Sequence, residues 1–171
     1  MKSVCFTGHR PSKLIFGYNE ESSTFKAFDR ILRQTIVDLC YSGYRRFYTG
    51  MAEGTDIWAA EIVVGLLNSF YYLELYAVLP YPGHTNKMSK DFKNRYDHIL
   101  KFAKKTICVS DKYSEDCFKR RNYYMVNHCE KMIAVYDPNQ WRSGTGQTVR
   151  YAERKGKDII FINPNHLPAY D

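Results

Sequence analysis

Short runs of apolar residues alternate along this chain with longer stretches in which apolar positions recur every three or four residues. The short runs are Ser3–Thr7, Arg46–Thr49, Leu73–Leu79, Thr106–Val109, Met132–Tyr136 and Asp158–Ile162. Their length and the turn residues around them predict β-strands. Between them, Phe28, Ile31, Leu32, Thr35, Ile36 and Leu39 mark one face of a first helix. Phe92, Tyr96, Ile99, Leu100 and Ala103 mark a second face, and Phe118, Met125, Val126 and Cys129 a third. The most apolar stretch, Ile57 to Leu79, is broken by Glu61, Asn68 and Glu74 and divides into a buried helix and a buried strand, not a membrane span. Strands alternating with helices predict a mostly parallel sheet covered on both sides, a Rossmann-like three-layer α/β/α sandwich. No repeat, linker or low-complexity tract interrupts the pattern, so one domain is expected over residues 1–171.

Composition narrows the class without naming a function. With 44% hydrophobic and 25% charged residues the chain reads as globular, and 171 residues suffice for a substantial core. Its formal net charge is +7, and its pI is near 9.1, a balance that favours acidic partners such as nucleotides or nucleic acid. The basic residues are dispersed, with Lys119-Arg120-Arg121 the only run of three, which places nucleic acid behind a small acidic ligand. The five cysteines form no CxxC pair and no close Cys/His cluster, so no metal site is expected. Buried, reduced thiols in a cytoplasmic protein are the simplest reading. Met1-Lys2 leads straight into the first strand, so no signal peptide is expected.

In α/β folds of this kind ligands sit beyond the carboxyl ends of the strands. The first strand ends in Thr7-Gly-His-Arg-Pro11 and the second in Thr49-Gly-Met-Ala-Glu-Gly-Thr-Asp56. The third ends in Leu79-Pro-Tyr-Pro-Gly83, and Arg142-Ser-Gly-Thr-Gly-Gln-Thr148 stands before the last helix. Glycine, hydroxyl and basic residues thus gather at one edge. Glycines let backbone N–H groups approach phosphate oxygens, and helix N-termini add a favourable dipole. No loop matches GxGxxG or GxxxxGK[ST], so neither a dinucleotide cofactor nor an ATPase site is indicated.

Read in order, Cys5-Phe-Thr-Gly-His-Arg-Pro11, Gly50-Met-Ala-Glu-Gly-Thr-Asp-Ile-Trp-Ala-Ala-Glu61, Leu79-Pro-Tyr-Pro-Gly83, Lys119-Arg-Arg-Asn-Tyr-Tyr-Met-Val126 and Ser143-Gly-Thr-Gly-Gln-Thr-Val-Arg-Tyr-Ala152 resemble the YpsA-like branch of the SLOG superfamily. The resemblance implies a Rossmann-like fold that binds nucleotides or nucleotide-derived molecules. Relatives include the lonely-guy phosphoribohydrolases and the single-stranded-DNA-binding DNA-processing protein A family. The YpsA-like branch brings no established reaction with it. Two departures stand out. The usual Gly-Gly-Thr is here Ser143-Gly144-Thr145, which keeps a hydroxyl but loses some backbone freedom. Laid over the phosphoribohydrolase signature, the chain places Arg150 on the catalytic glutamate, and an arginine cannot act as a base at neutral pH.

The expected ligand shell follows the strand ends. It comprises Thr7, Gly8, His9 and Arg10 after the first strand, and Gly50, Met51, Glu53, Gly54 and Asp56 after the second. Pro80 follows the third, Arg121 and Asn122 open the helix after the fourth, and Ser143, Gly144, Thr145, Gly146 and Thr148 surround the start of the last helix. Gly8, Gly50, Pro80 and Gly144 should share one pocket. Arg10 suits phosphate through paired N–H bonds, or is a surface residue before the Pro11 turn. His9 either meets the ligand or closes the sheet edge. Either one of Glu53 and Asp56 holds ribose hydroxyls or acts as a general acid or base, or Glu53 is a solvated loop acid and Asp56 a first-turn helix acid. Arg121 points into the site with Arg120 outward, or the basic run is a solvated face; Arg95 is a weaker candidate of the same kind. Thr145 and Thr148 cap the helix, hold phosphate, or do both.

The expected partner is a nucleotide-derived small molecule: a nucleoside phosphate, an ADP-ribose or NAD-like molecule, or a nucleotide second messenger. Binding as a sensor or store is the first reading, N-glycosidic hydrolysis through Glu53 or Asp56 the second, and single-stranded DNA binding the third. A homo-oligomer is also open. No cofactor is expected, and no residue is assigned a catalytic role.

Overall fold

The computed structural model describes residues 1–167. Six strands and five helices alternate: β1 (Lys2–Gly8), α1 (Ser23–Tyr41), β2 (Tyr44–Thr49), α2 (Thr55–Leu66), β3 (Glu74–Leu79), α3 (Lys90–Phe102), β4 (Lys105–Cys108), α4 (Cys117–His128), β5 (Lys131–Val135), α5 (Gly144–Arg154) and β6 (Asp158–Ile162). All strands pair in parallel in the order β4-β3-β2-β1-β5-β6. Every expected strand is present, with ends differing by at most two residues. Among the described residues no helix is long and apolar enough to cross a membrane.

The period-two alternation of the strands sorts side chains onto two faces. Val4, Phe6, Phe47, Ile133 and Val135 join the cluster built with α1, α2 and α3. Cys5, Tyr48, Val78, Met132 and Ala134 join the cluster built with α4 and α5. Helix α2 is buried on most sides because it packs against α1, α3 and the sheet, which explains why its sequence is mostly apolar between Asp56 and Leu66, with Glu61 the one charged residue there. Serines start the amphipathic helices: Ser22 Oγ accepts the Phe25 N–H at 3.1 Å, and Ser89 Oγ accepts that of Phe92 at 3.2 Å.

Two details of the layering differ from the sequence reading. Phe118, placed by its spacing on the buried face of α4, is half-buried and belongs to neither apolar cluster. Cys108 is exposed, because β4 is an edge strand with one uncovered side, whereas Cys5, Cys40, Cys117 and Cys129 are buried.

The strand order decides where a site can form. From β1 the chain moves outward through β2, β3 and β4, then returns through α4 to the other side of β1 and continues to β6. Connections therefore leave the neighbouring strands β1 and β5 in opposite directions. Their register pairs Gly8 with Val135 at the carboxyl ends, so the crevice of a parallel sheet opens there.

Candidate functional site

A cavity of about 400 Å³ lies at this crevice. Thr7, Gly8, His9 and Arg10 form one wall, Ala52 and Asp56 the floor toward α2, and Phe118, Arg121 and Asn122 the side toward α4. Arg142, Ser143, Gly144 and Thr145 complete it at the start of α5. Four cationic side chains line it, Arg10, Lys13, Arg121 and Arg142, against the single carboxylate of Asp56. Arg10 and Arg142 are exposed, and neither makes a side-chain hydrogen bond to another described residue.

Helix α5 brings its N-terminus to the same cavity. Ser143 is its cap: its hydroxyl donates to Gln140 O at 2.7 Å and accepts the Gly146 N–H at 3.0 Å. The N–H groups of Gly144 and Thr145 have no partner within the helix, as first-turn amides never do. They add partial positive charge beside the arginines.

Close approach requires glycine at two places here. A Cβ on Gly8 would lie 2.1 Å from Thr55 Oγ1, and one on Gly146 would lie 2.2 Å from the Trp141 carbonyl oxygen. Strand β1 therefore runs tight under α2, and α5 runs tight against the loop before it.

Buried charge supports the floor. Arg121 is buried, donates through Nη1 to Gly50 O and through Nε to Asn122 Oδ1 at 2.8 Å. Burial lowers its pKa, and Asp56 is the largest influence opposing that shift. Asp56 is buried too, and its Oδ2 accepts the Ala52 N–H at 3.2 Å. Burial raises its pKa, with Arg121 the largest counterweight. Gly50 sits between the two: a Cβ there would meet Asp56 Oδ2 at 2.7 Å and Arg121 Cδ at 2.9 Å. His9, also buried, takes the Asp137 backbone N–H on its ring Nε2 at 3.1 Å, while the backbone N–H of His9 donates to Val135 O at 3.3 Å. That acceptor role demands a neutral imidazole, in keeping with the lowering of its pKa by burial.

The remaining expected residues fall elsewhere. Met51 has no exposed surface and packs in the cluster under α1 to α3, so it cannot touch a ligand. Pro80 does not line the cavity, because β3 is two strands from β1. Gly50 lies beneath the floor, so the expectation that Gly8, Gly50, Pro80 and Gly144 share one pocket holds only for Gly8 and Gly144. Gly146 and Thr148 are structural: Thr148 is buried, its hydroxyl donates to Gly144 O at 2.8 Å, and it accepts from Asn122 Nδ2 at 3.0 Å. Arg121 and Asn122 do not open α4, which starts at Cys117; they project from its second turn.

Glu53 and Gly54 line a different cavity, of about 490 Å³, bounded by Pro11, Trp58, Met88 and Phe92. Pro11 packs against Gly54, whose φ is +96°, and both line this second cavity and not the first. Arg95 lies in the second one. Its guanidinium donates to Glu61 at 2.7 and 2.6 Å and to Glu20 at 2.6 and 3.1 Å, leaving it occupied. Glu20, Glu53 and Asp91 line it, so this cavity is the more acidic of the two. Arg150 lies outside both cavities; its Nη1 donates to Trp141 O at 2.7 Å.

Lys13, Ala52, Phe118 and Arg142 line the first cavity without having been expected there. Arg142 immediately precedes the Ser-Gly-Thr motif, a signal that sequence reasoning had in hand. Phe118 carried the opposite signal, since its spacing matched the core face.

Comparison with known proteins is consistent with this architecture. The profile of a family described as the YspA SLOG family matches residues 4–167. UPF0398 proteins of Staphylococcus aureus strains JH9, JH1 and USA300 are each 22% identical over 142 residues, covering 82% of this chain and 75% of theirs.

Proposed function

This chain belongs to the YspA SLOG family, and on that premise we propose that it binds the phosphate of a nucleotide or nucleotide-derived small molecule in the cavity between Gly8 and Gly144. One observation carries the reading. The unpaired first-turn amides of α5 face the same cavity as Arg10, Lys13 and Arg142, at the point where the chain connections diverge. Oriented amides and guanidinium forks both match phosphate oxygens. Ligand pockets run from about 300 to 1,000 Å³, so a cavity of about 400 Å³ suits one nucleotide better than an extended dinucleotide. A nucleoside phosphate therefore ranks ahead of an ADP-ribose or NAD-like ligand or a dinucleotide messenger. Binding without turnover, as in sensing or storage, is the function this supports best.

Titration calorimetry of nucleoside 5′-monophosphates and their unphosphorylated nucleosides tests it. Arg10→Ala and Thr145→Ala should each cost the monophosphate about 1.5–3 kcal/mol, the worth of a hydrogen bond to a charged group. The nucleoside should lose little. Equal losses for both ligands would show that neither side chain meets phosphate.

A second reading, N-glycosidic hydrolysis, is favoured by one feature. Asp56 shares the cavity and burial raises its pKa, as suits a general acid or base. Glu53 lines the second cavity and not the first, and drops out of that reading.

A further inference from the structure

Phe118 departs from the pattern of its own helix. Met125, seven residues on and hence on the same face, packs in the apolar cluster beneath α4 and α5 with Val126 and Cys129. Phe118 sits in the first turn of α4, joins neither cluster, and lines the cavity half-buried. Its ring is held in place. Tyr81 meets it at 6.2 Å and 79°, Tyr113 meets Tyr81 at 5.5 Å and 78°, and Arg121 Cζ lies 5.7 Å from the Phe118 centroid. A fixed, partly exposed aromatic ring in a cavity of this size is a stacking surface with little side-chain entropy left to lose. The same cavity is lined by Arg10, Arg142 and the first residues of α5.

We infer that Phe118 stacks on the nucleobase of the ligand, so that the cavity takes a nucleoside 5′-phosphate in preference to a bare sugar phosphate. This rests on the phosphate reading above and adds what the other end of the ligand must be. Guanidinium groups and helix amides would hold any phosphorylated sugar; the aromatic wall is what distinguishes a ligand carrying a flat heterocycle. Phe118 is thus a specificity-determining residue. It touches the base, while Tyr81 and Arg121 hold its ring.

The test compares adenosine 5′-monophosphate with ribose 5-phosphate by calorimetry on the full chain, its Phe118→Ala, Phe118→Leu and Phe118→Trp variants, and Arg10→Ala. The wild-type protein should prefer the nucleotide. Phe118→Ala should weaken nucleotide binding about 5- to 150-fold, the range for loss of one base–aromatic stack, and leave ribose 5-phosphate binding unchanged. Phe118→Trp should retain the preference. Phe118→Leu, which keeps apolar bulk without a π face, should lose it and serves if the alanine variant does not fold. Equal wild-type affinity for the two ligands, or equal weakening of both by Phe118→Leu, overturns the stacking role; the phosphate reading then still stands if Arg10→Ala weakens both. Binding of neither ligand overturns both.

Discussion

Gly144 and Gly146 sit two residues apart in one motif and do different work. A Cβ on Gly144 meets nothing within 4 Å, whereas one on Gly146 runs into the Trp141 backbone. Gly146→Ala should therefore cost about 1–3 kcal/mol, the usual penalty of overpacking, despite alanine's better helix propensity. Gly144→Ala should leave stability essentially unchanged. Urea unfolding of the two variants checks this, and equal midpoints would mean that α5 does not press on the preceding loop. The histidines make a second residue-scale prediction. Burial lowers the pKa of His9 and of His84 from the usual 6.5. As pH falls through about 6.5, the unfolded chain takes up protons that these folded imidazoles refuse, so stability falls with acidification. The urea midpoint should drop between pH 7.5 and 5.5, and less steeply in a His9→Asn, His84→Asn double variant. An unchanged slope in that variant would move the effect to other groups.

At the scale of elements, the start of α2 shows how one loop can serve two compartments. Gly54 takes a φ of +96° as the residue before the first helical turn, and Pro11 packs on it. Residues three apart in sequence, Glu53 and Asp56, are thereby sent into different cavities. Their variants should separate accordingly. If nucleoside monophosphates are cleaved, Asp56→Asn should lower the rate by about 10²–10⁴, the usual worth of acid–base assistance, and Glu53→Gln should not. Free-base release measured by chromatography decides this. Loss of turnover in Glu53→Gln with Asp56→Asn unaffected would refute the assignment of the carboxylates to the two cavities. No release at all from a full panel would leave binding as the function.

For the whole molecule, the question is what the charge of +7 is for. Four of the cations converge on one nucleotide-sized cavity, and the rest are dispersed. A single-stranded nucleic-acid binder needs a charged track with successive stacking platforms, and its affinity grows with strand length and falls steeply with salt. This chain should bind oligothymidylates no more tightly as they lengthen, and a nucleoside monophosphate should compete with any binding seen. Affinity that climbs with length and resists such competition would point to the nucleic-acid reading instead.

The six strands, the helices between them and the parallel layering were legible in the sequence, because period-two and period-3.6 patterns and turn chemistry are local properties. So was the clustering of phosphate-type residues at the strand ends, since chain direction in a parallel sheet puts every carboxyl end on one edge. The membership of the site was not. Thr7, Gly8, His9, Arg10, Asp56, Arg121, Asn122, Ser143, Gly144 and Thr145 line one cavity, but Met51 turned into the core, Pro80 lay two strands away, and Glu53 faced another cavity. Phe118 had the spacing of a core residue and ended on the cavity wall. Those outcomes depend on which strand neighbours β1 and on how α4 packs against the sheet and α5. Both are set by contacts between residues distant in sequence, which periodicity along the chain does not encode.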